Sequence, residues 1–426
     1  MSATQVASGS SLSVKEYGVA LFTQTQKVPS SMKNLTGPAP KQADAERKLK
    51  LQTSPEMPIV RVTDLARTAG DTVSVDCVNI IGGKPVMGDR DAEGTGAPLT
   101  FSSMDVKIDL ATKAIDAGGK MAQQRTKHQL RSLALANAIG YMAKLEAQLC
   151  HVQMAGARGS MSYGSWPLPL DTDPDFAEIL VNTVRAPSWG RHSWVDGDGV
   201  TLTAGGQQVG SLATTDVWKL DILDRLAVLL DEQEFPMQPV KIPDDPAKND
   251  QPMYVLLMPP RSYDSLMTAS GSNLRTFQQN AWNRASYGSK HPLFMGEVGM
   301  WRNILVKKVN DFWVRFTNGA TYKYVASADK ATATETSTTV SIATTHAVER
   351  SLLCGAQALA NCYGRAQGSD FHYNWLERKY NFERATEIAC EMMGGKSKLR
   401  FEVPQTDGTV VPTDHGVWAI DGVVAL

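Results

Sequence analysis

The amino-acid sequence predicts an α+β protein with antiparallel or mixed β-sheets. Three observations predict it: two alternating strand patterns on either side of a long glycine-rich loop, one long helical pattern, and short apolar runs bounded by turn residues in the second half. The chain has 426 residues, of which 42% are hydrophobic, so it is long enough to bury a large core. No repeat with a period of about 20 to 50 residues is visible, which argues against a solenoid or a propeller.

The first of these observations is a hairpin with an unusually long connection. Residues 73–77 and 104–108 alternate apolar and polar side chains, and 79–100 join them, whereas a hairpin connection usually has about 2 to 5 residues. The charges of the loop alternate in sign, which favours pairing with a protein surface that carries both signs over cradling an anion. An intersubunit contact is the prediction, and an exposed loop without a partner is the alternative that the residues leave open. The candidate contact residues are Gly82, Gly83, Lys84, Met87, Asp89, Arg90, Asp91 and Glu93.

The second observation is a long helix. Apolar residues recur at spacings of three and four from Leu130 to Val152, and Gly156 follows as a stop signal. A single helix from near Gln123 to Ala155 would be about 50 Å long.

The remaining chain contains an N-terminal arm and a series of shorter elements. Residues 1 to about 58 are polar and lack periodicity, so they would not fold alone. Helices are predicted at 217–230, near 263–267, near 274–284, in SLLCGAQALANCYG and in FHYNWLERKYNFERATEIACEMMGG, where Gly394 and Gly395 would form the C-cap. Strands are predicted in MYVLLM, 303–309, 312–316, TYKYV, KLRFEVP and WAIDGVVAL. The Ser/Thr-rich segment 326–345 predicts a surface loop or a solvated hairpin.

Charge and cysteine content restrict the partners and the compartment. The 43 Lys and Arg residues nearly balance 44 Asp and Glu residues, so net charge singles out neither nucleic acid nor anionic lipid as a partner. The five cysteines form no CxxC pair, which favours a reducing compartment. The N-terminus lacks a signal-peptide pattern and no apolar stretch reaches the length of a membrane span, so we expect a soluble protein without a membrane partner.

Short motifs assign no catalytic, cofactor or metal site. The nearest P-loop match, CEMMGGKS, has Cys390 where the first glycine belongs, and the aspartate triplet 171, 173 and 175 lacks the glycine and glutamate of a calcium loop. The seven histidines form no zinc-binding grouping, and GxSxG is missing. The sequence therefore predicts no enzyme, no cofactor and no metal.

A family resemblance accounts for the pattern as a whole. KLQTSPEMPIVRVTDL and the adjoining stretch from GDTVSVDCVNIIGGKPVMGDRDAEGTGAPLT to KMAQQRTKHQLR resemble the major capsid protein family of N-four-like tailed bacteriophages. Similarity continues through AGARGS, DPDFAEILVNTVRAP, GEVGMWRNILV and SLLCGAQALANCYGRA. The resemblance implies the Hong Kong 97-type (HK 97-like) phage capsid fold. Its parts would be an N-terminal arm at 1–66, an extended hairpin loop at 67–112, a peripheral domain at 113–204 with a long spine helix at 120–157, an apical domain at 205–370, and a return to the peripheral domain at 371–426.

The resemblance also implies a function and a set of partners. The chain would self-assemble as hexamers and pentamers into the icosahedral head shell that encloses the double-stranded DNA genome of a phage, first in the host cytoplasm and then as part of the virion. A separate scaffolding protein, a portal and a decoration protein would be partners, with non-specific contact to packaged DNA. We expect noncovalent assembly and no large cleavage. Another virion part, such as a tail or portal component, or a soluble enzyme with a dispersed site are the alternatives.

Overall fold

The structure is a computed structural model, and it describes fourteen stretches of the chain. These stretches are 35–36, 56–63, 70–78, 84–88, 93–94, 96, 99, 101–205, 212–233, 235–241, 252–269, 298–364, 372–404 and 409–426. Most of the predicted N-terminal arm and the predicted helix near 274–284 lie outside them.

The described elements are mostly strands. The helices are α1 (Lys120–Arg125), α2 (Leu130–Ala155), α3 (Phe176–Leu180), α4 (Leu220–Asp231) and α5 (Pro260–Ala269). The strands are β1 (Ile59–Val62), β2 (Thr72–Val78), β3 (Phe101–Lys107), β4 (Asp109–Gly119), β5 (His192–Asp196), β6 (Thr201–Ala204), β7 (Tyr254–Met258), β8 (Val298–Trp301), β9 (Ile304–Lys308), β10 (Val314–Phe316), β11 (Thr321–Val325), β12 (Glu335–Thr339), β13 (His346–Cys354), β14 (Leu359–Tyr363), β15 (Tyr373–Tyr380), β16 (Ala385–Lys398), β17 (Arg400–Pro404), β18 (Val410–Asp414) and β19 (Val417–Ala425).

Two sheets share the long helix α2. In the described residues the first sheet has the order β1-β14-β16-β15, with β4 also paired to β16, and the second has the order β6-β5-β19-β13-β7-β9-β8, with β10 paired to β13. Side chains of α2 such as Met142, Leu149 and Val152 belong to one core with residues of both sheets. Helices α4 and α5 cover the opposite face of the second sheet. The second sheet is therefore covered by α2 on one face and by α4 and α5 on the other.

A buried ionic network ties the second sheet to α2. Arg350 on β13 donates from Nε and Nη2 to Asp421 on β19 at 2.9 and 2.8 Å, and from Nη1 to the carbonyl oxygen of Ala155 at 2.7 Å. The hydroxyl of Tyr322 and the ring of His192 also contact the Asp421 carboxylate, at 2.5 and 2.8 Å. Burial alone would raise the pKa of Asp421, but the Arg350 charge and these hydrogen bonds outweigh burial and hold the pKa well below its usual range.

The long helix is shorter than its sequence pattern predicts. Helical structure from 120 is interrupted at Thr126, which is extended, and α2 then covers 26 residues, or about 39 Å. The side chain of Gln123 accounts for the break. Its Nε2 donates to the carbonyl oxygen of His128 at 2.7 Å, and its Oε1 accepts from the N–H of Leu130 at 3.1 Å. The predicted end is confirmed: Gly156 is left-handed with φ 65°, and a Cβ there would lie 2.4 Å from a backbone oxygen.

Two predicted helices in the last third are wrong. SLLCGAQALANCYG forms the end of β13 and then β14, and FHYNWLERKYNFERATEIACEMMGG forms β15 and most of β16. Strands β13 and β14 are buried on both faces, so no alternation distinguishes them from a buried helix. Gly394 and Gly395 form no helix C-cap, because they lie inside β16 and pair with Tyr363 and Cys362.

The other predictions for the second half are mostly confirmed. Helices α4 and α5 and strands β7, β9, β10, β11, β17 and β19 lie where the sequence predicts them. Asn318-Gly319 also predicts a hairpin turn between β10 and β11, which is wrong, because β10 pairs with β13 and β11 pairs with β12. The Ser/Thr-rich segment contributes β12, an exposed strand paired with β11, which confirms a solvated hairpin.

Sheet pairing crosses the predicted domain boundaries. Strands β5 and β6 precede residue 205 and β19 follows residue 371, yet all three belong to the second sheet with β7, β9 and β13. A division of the chain that follows the sheets would therefore move 192–204 and 417–425 into the unit predicted for 205–370. No described helix is long and apolar enough to cross a membrane.

We predict that Asp421→Asn lowers the free energy of unfolding by about 3–5 kcal/mol, because it leaves the buried Arg350 guanidinium without its counter-charge. Urea titration of the soluble subunit measures this. Asp105→Asn, at an exposed position of β3, serves as the control and should change stability by less than about 0.5 kcal/mol. The double variant Arg350→Met/Asp421→Leu should recover part of the loss. If Asp421→Asn and the control had the same free energy of unfolding, the claim that the network stabilises the subunit would be contradicted.

Candidate assembly interface

The predicted hairpin is present, and its base belongs to the core of the subunit. Strands β2 and β3 pair antiparallel, with Val73 opposite Val106 and Val75 opposite Met104. These apolar side chains face inward and pack with side chains of β1, β14 and β17. The hairpin base is therefore held by its own subunit.

Polar contacts fix the end of the hairpin where the chain enters β4. The N–H of Lys107 donates to Oδ1 of Asn182 and Nδ2 of Asn182 donates to the carbonyl oxygen of Lys107, both at 2.9 Å. Gly395 lies against the same carbonyl, and a Cβ at that position would be 1.8 Å from the oxygen. Only glycine allows β16 to approach the hairpin this closely.

The outward face of the hairpin is polar until its last residue pair. Val78 and Phe101 pair opposite each other at the loop end, and they are 56% and 66% exposed. Among the described loop residues, Met87 is 70% exposed, and Val86 and Leu99 are also exposed. We call these five apolar residues the hairpin-end patch.

Three of the predicted contact residues lie among the described residues and are exposed: Lys84, Met87 and Glu93. Gly82, Gly83, Asp89, Arg90 and Asp91 lie outside the described residues. Sequence reasoning missed Val78 and Phe101. The signal was present, because both are apolar at positions where the alternation of their strands calls for polar residues.

A second exposed apolar surface lies on β15 and the turn that follows it. Trp375 and Leu376 are about half exposed, and Phe382 is 96% exposed. Phe382 and its neighbours Asn381 and Glu383 have φ values of 52° to 61°, a region that side-chain-bearing residues rarely adopt. The N–H of Lys120 donates to the carbonyl oxygen of Arg384 at 2.9 Å and ties the turn to α1. The wrong prediction of a helix here concealed this surface.

Strand β15 is held against α2 by the carboxylate of Glu146. Tyr363 donates to it at 2.5 Å, Asn361 donates at 3.2 Å, and Tyr373 on β15 donates to its other oxygen. Burial alone would raise the pKa of Glu146, but the charge of Lys396 and these three hydrogen bonds lower it to about 2. The carboxylate therefore stays ionised at neutral pH.

The described part of the chain offers no group of three or more His, Cys, Asp or Glu side chains that could hold a metal ion. Two of its histidines, His151 and His192, are buried. The buried His151, for example, packs edge-on against Phe312, and burial lowers its pKa to about 4. The surfaces that stand out are apolar patches suited to binding protein.

Comparison with solved structures identifies proteins that share this fold. The structure is similar to the capsid of Ralstonia phage GP4, with 24% sequence identity, a TM-score of 0.73, and coverage of 100% of this chain and 99% of that chain. It is also similar to the cyanophage Pam1 capsid (15% identity, 100% of both chains, TM-score 0.62) and to the capsid of Helicobacter pylori bacteriophage KHP30 (11% identity, 97% and 96%, TM-score 0.57). These likenesses show the Hong Kong 97-type fold.

The family follows from the sequence comparison. The model of the phage capsid protein family matches residues 5–426, so the chain belongs to that family. A comparison with curated proteins returned no match. The protein is thus a structural component of a virion shell that self-assembles, with the fold that the resemblance implied.

We predict that Glu146 makes the subunit sensitive to acid. Its folded pKa of about 2 lies below the ordinary value of 4.5, so its contribution is complete above about pH 5 and is lost as the pH falls towards 2. The loss is at most about 3 kcal/mol. Glu146→Gln should remove this part of the pH dependence in urea titrations at pH 7, 5, 4 and 3, whereas the exposed Glu383→Gln should keep the wild-type profile. Equal slopes in the wild type and in Glu146→Gln would contradict the prediction.

Proposed function

We propose that this chain is the major capsid protein of a tailed phage. It assembles as hexamers and pentamers into an icosahedral head around double-stranded DNA, and a contact of the hairpin end with a neighbouring subunit stabilises the shell. Family membership supports the capsid role. The observation that carries the hairpin contact is the hairpin-end patch, which leaves large apolar side chains exposed on a strand pair whose base is fixed in the subunit.

Burial of this patch would give a useful free energy. Covering a Val, Met or Phe side chain contributes about 1.5–3 kcal/mol, so a few such residues make a moderate contact. A closed shell repeats the contact many times, and closure strengthens each one through effective concentration. The described charged residues near the patch, Lys84 and Glu93, have opposite signs, which suits a neighbour that carries the same mixed surface.

The division into domains accompanies this proposal. The first sheet with α2 would form the peripheral domain, and the second sheet with α4 and α5 would form the apical domain. The exposed turn after β15 would be a further contact surface between copies. Residues 1–66 would be the N-terminal arm, with β1 paired into the peripheral sheet, and 67–112 would be the extended loop. Residues 371–426 would be mainly the return to the peripheral domain, with β19 in the apical sheet.

Further partners and properties belong to the same proposal. Assembly would take place in the host cytoplasm, without covalent crosslinks and without a catalytic role for the chain. A scaffolding protein, a portal and a decoration protein would bind the shell, and packaged DNA would touch its inner wall without sequence preference. Denatured particles would then show a single band with the mass of the full 426-residue chain. Covalent ladders or a much smaller mass would contradict noncovalent assembly without cleavage.

We predict that Val78→Ser/Phe101→Ser yields folded subunits that fail to form shells. The substitutions remove apolar contact area at exposed positions, so the stability of the isolated subunit should change little. Negative-stain electron microscopy of the variant, coexpressed with its assembly partners, measures the number of shells. Circular dichroism measures whether the subunit is folded. Ser74→Ala/Ser103→Ala, on the same outward face of the hairpin, is the matched control and should assemble normally. Normal shells from Val78→Ser/Phe101→Ser would refute the contact.

Deletion of 82–96 tests the loop as a whole. We expect soluble subunits with the wild-type circular dichroism spectrum and no closed particles. Shells of normal size from the deletion variant would show that the loop is not an intersubunit contact. Rings or tubes formed by the wild-type protein would contradict the capsid proposal itself.

A further inference from the structure

A cavity of about 510 Å³ lies between the loop end of strand β2 and the body of the subunit. Cys77 and Val78 of β2 line one side, and the segment after α4, including Phe235, lines another. Phe401 of β17 and His415 contribute a third wall. Most of the lining is apolar, so the polar groups within it stand out.

Arg191 is the cation of this cavity, and it has no carboxylate partner among the described residues. Its side chain is only 3% exposed, and its guanidinium donates to the side chain of Gln233 and to the carbonyl oxygen of Phe235. The guanidinium also lies 5.6 Å from the centre of the Trp418 ring. No described residue supplies an acceptor for its Nε–H. A buried charged donor without an acceptor is costly, which makes an anion or an ordered water necessary here.

The surrounding charges leave Arg191 uncompensated. Asp414 is the buried carboxylate nearby, and it is already bound by Lys398 at 2.9 Å and by Arg400 at 2.6 Å. Asp231 also lines the cavity, but it is exposed and forms no ion pair with Arg191. Burial lowers the pKa of Arg191 to about 10, while Asp414 acts on it only at longer range. The guanidinium therefore remains charged at neutral pH, and none of the described carboxylates forms an ion pair with it.

His415 supplies a second polar group. Its Nε2 has no hydrogen-bond partner, and its ring packs edge-on against Phe401 at 5.5 Å. Burial lowers the pKa of His415, and the nearby positive charge of Arg191 lowers it further. Arg191 and His415 thus line the same cavity, and each carries a nitrogen without a hydrogen-bond partner among the described residues.

We propose that this cavity binds a carboxylate carried on an apolar body, with Arg191 as the charge partner and His415 as a second hydrogen-bonding group. A carboxylate matches the guanidinium in charge and planarity. The volume exceeds that of a single small anion, and the aromatic and proline-rich lining suits an apolar group attached to it. The ligand is either a free organic acid or the acidic side chain of a second copy of this chain. Val78 belongs both to the hairpin-end patch and to the wall of this cavity, but the binding groups of the site, Arg191 and His415, lie outside that patch.

Cys77 provides a direct test on the unmodified protein. It lines the cavity and is half-buried, whereas Cys150, Cys354, Cys362 and Cys390 are buried, so iodoacetamide should modify Cys77 first. We expect 3-phenylpropionate to slow the modification of Cys77 in a saturable way, measured by mass spectrometry on isolated subunits. Its uncharged amide, 3-phenylpropionamide, should protect at least about tenfold more weakly, because it lacks the charge.

Variants separate the proposed site from a structural role of Arg191. Arg191→Gln should abolish the protection, and Arg225→Gln, an exposed arginine on α4, should keep it. If Arg191→Gln fails to fold, Val403→Phe reduces the cavity from its wall without changing Arg191 and should also abolish the protection. Equal protection by the acid and the amide would show that the cavity does not recognise the carboxylate, and no protection by either would show that it binds neither compound. Both results would overturn the proposal.

Assembled shells distinguish the two sources of the carboxylate. If a neighbouring copy supplies it, Cys77 in shells should be protected without added acid, and free 3-phenylpropionate should have no further effect. If the ligand is a free organic acid, shells and isolated subunits should show the same saturable protection. The hairpin contact in shells also covers the neighbourhood of Cys77, so protection in shells supports a carboxylate from a neighbouring copy only if Arg191→Gln shells lose it. Protection of isolated subunits by 3-phenylpropionate that persists in Arg191→Gln refutes the site.

Discussion

The ion pair between Arg350 and Asp421 is the interaction on which the rest of the subunit depends. Both side chains are fully buried, and Arg350 also binds the carbonyl oxygen of Ala155 at the C-terminal end of α2. The pair therefore fixes the long helix to the second sheet. The hydroxyl of Tyr322 on β11 donates to the same Asp421 carboxylate. Replacing one member leaves a charge in a core without water, so the network specifies one arrangement of helix and sheets.

That arrangement decides what the subunit can present to its neighbours. Helix α2 also packs on the first sheet, and this sheet supports the hairpin through the close approach of Gly395 to Lys107. The hairpin base is thus part of a rigid body, and the apolar residues at its end project from a fixed position. A contact surface that is ordered before binding loses less conformational entropy on association. Weak contacts repeated around a shell can then be sufficient.

The sequence predicted the parts whose local pattern matches their environment. Strands β2 and β3 alternate apolar and polar residues because one face of the hairpin is solvated, and this alternation predicted them. Strands β7 and β19 are short apolar runs, and this pattern predicted them as buried strands. Strand β15 was missed because NWLERKY has good helix formers, and its pairing with β16 overrides that preference. The Arg350 network was beyond prediction, since His192 and Asp421 are 229 positions apart and no local pattern links them.

A cryo-electron microscopy reconstruction of the assembled shell tests the central claim most directly. The account predicts that Val78 and Phe101 are buried against a neighbouring copy, while Val73 and Val106 remain packed on their own subunit as in the isolated chain. A shell in which the hairpin-end patch faces solvent, or in which the hairpin base has left its own core to pack on a neighbour, would contradict the account.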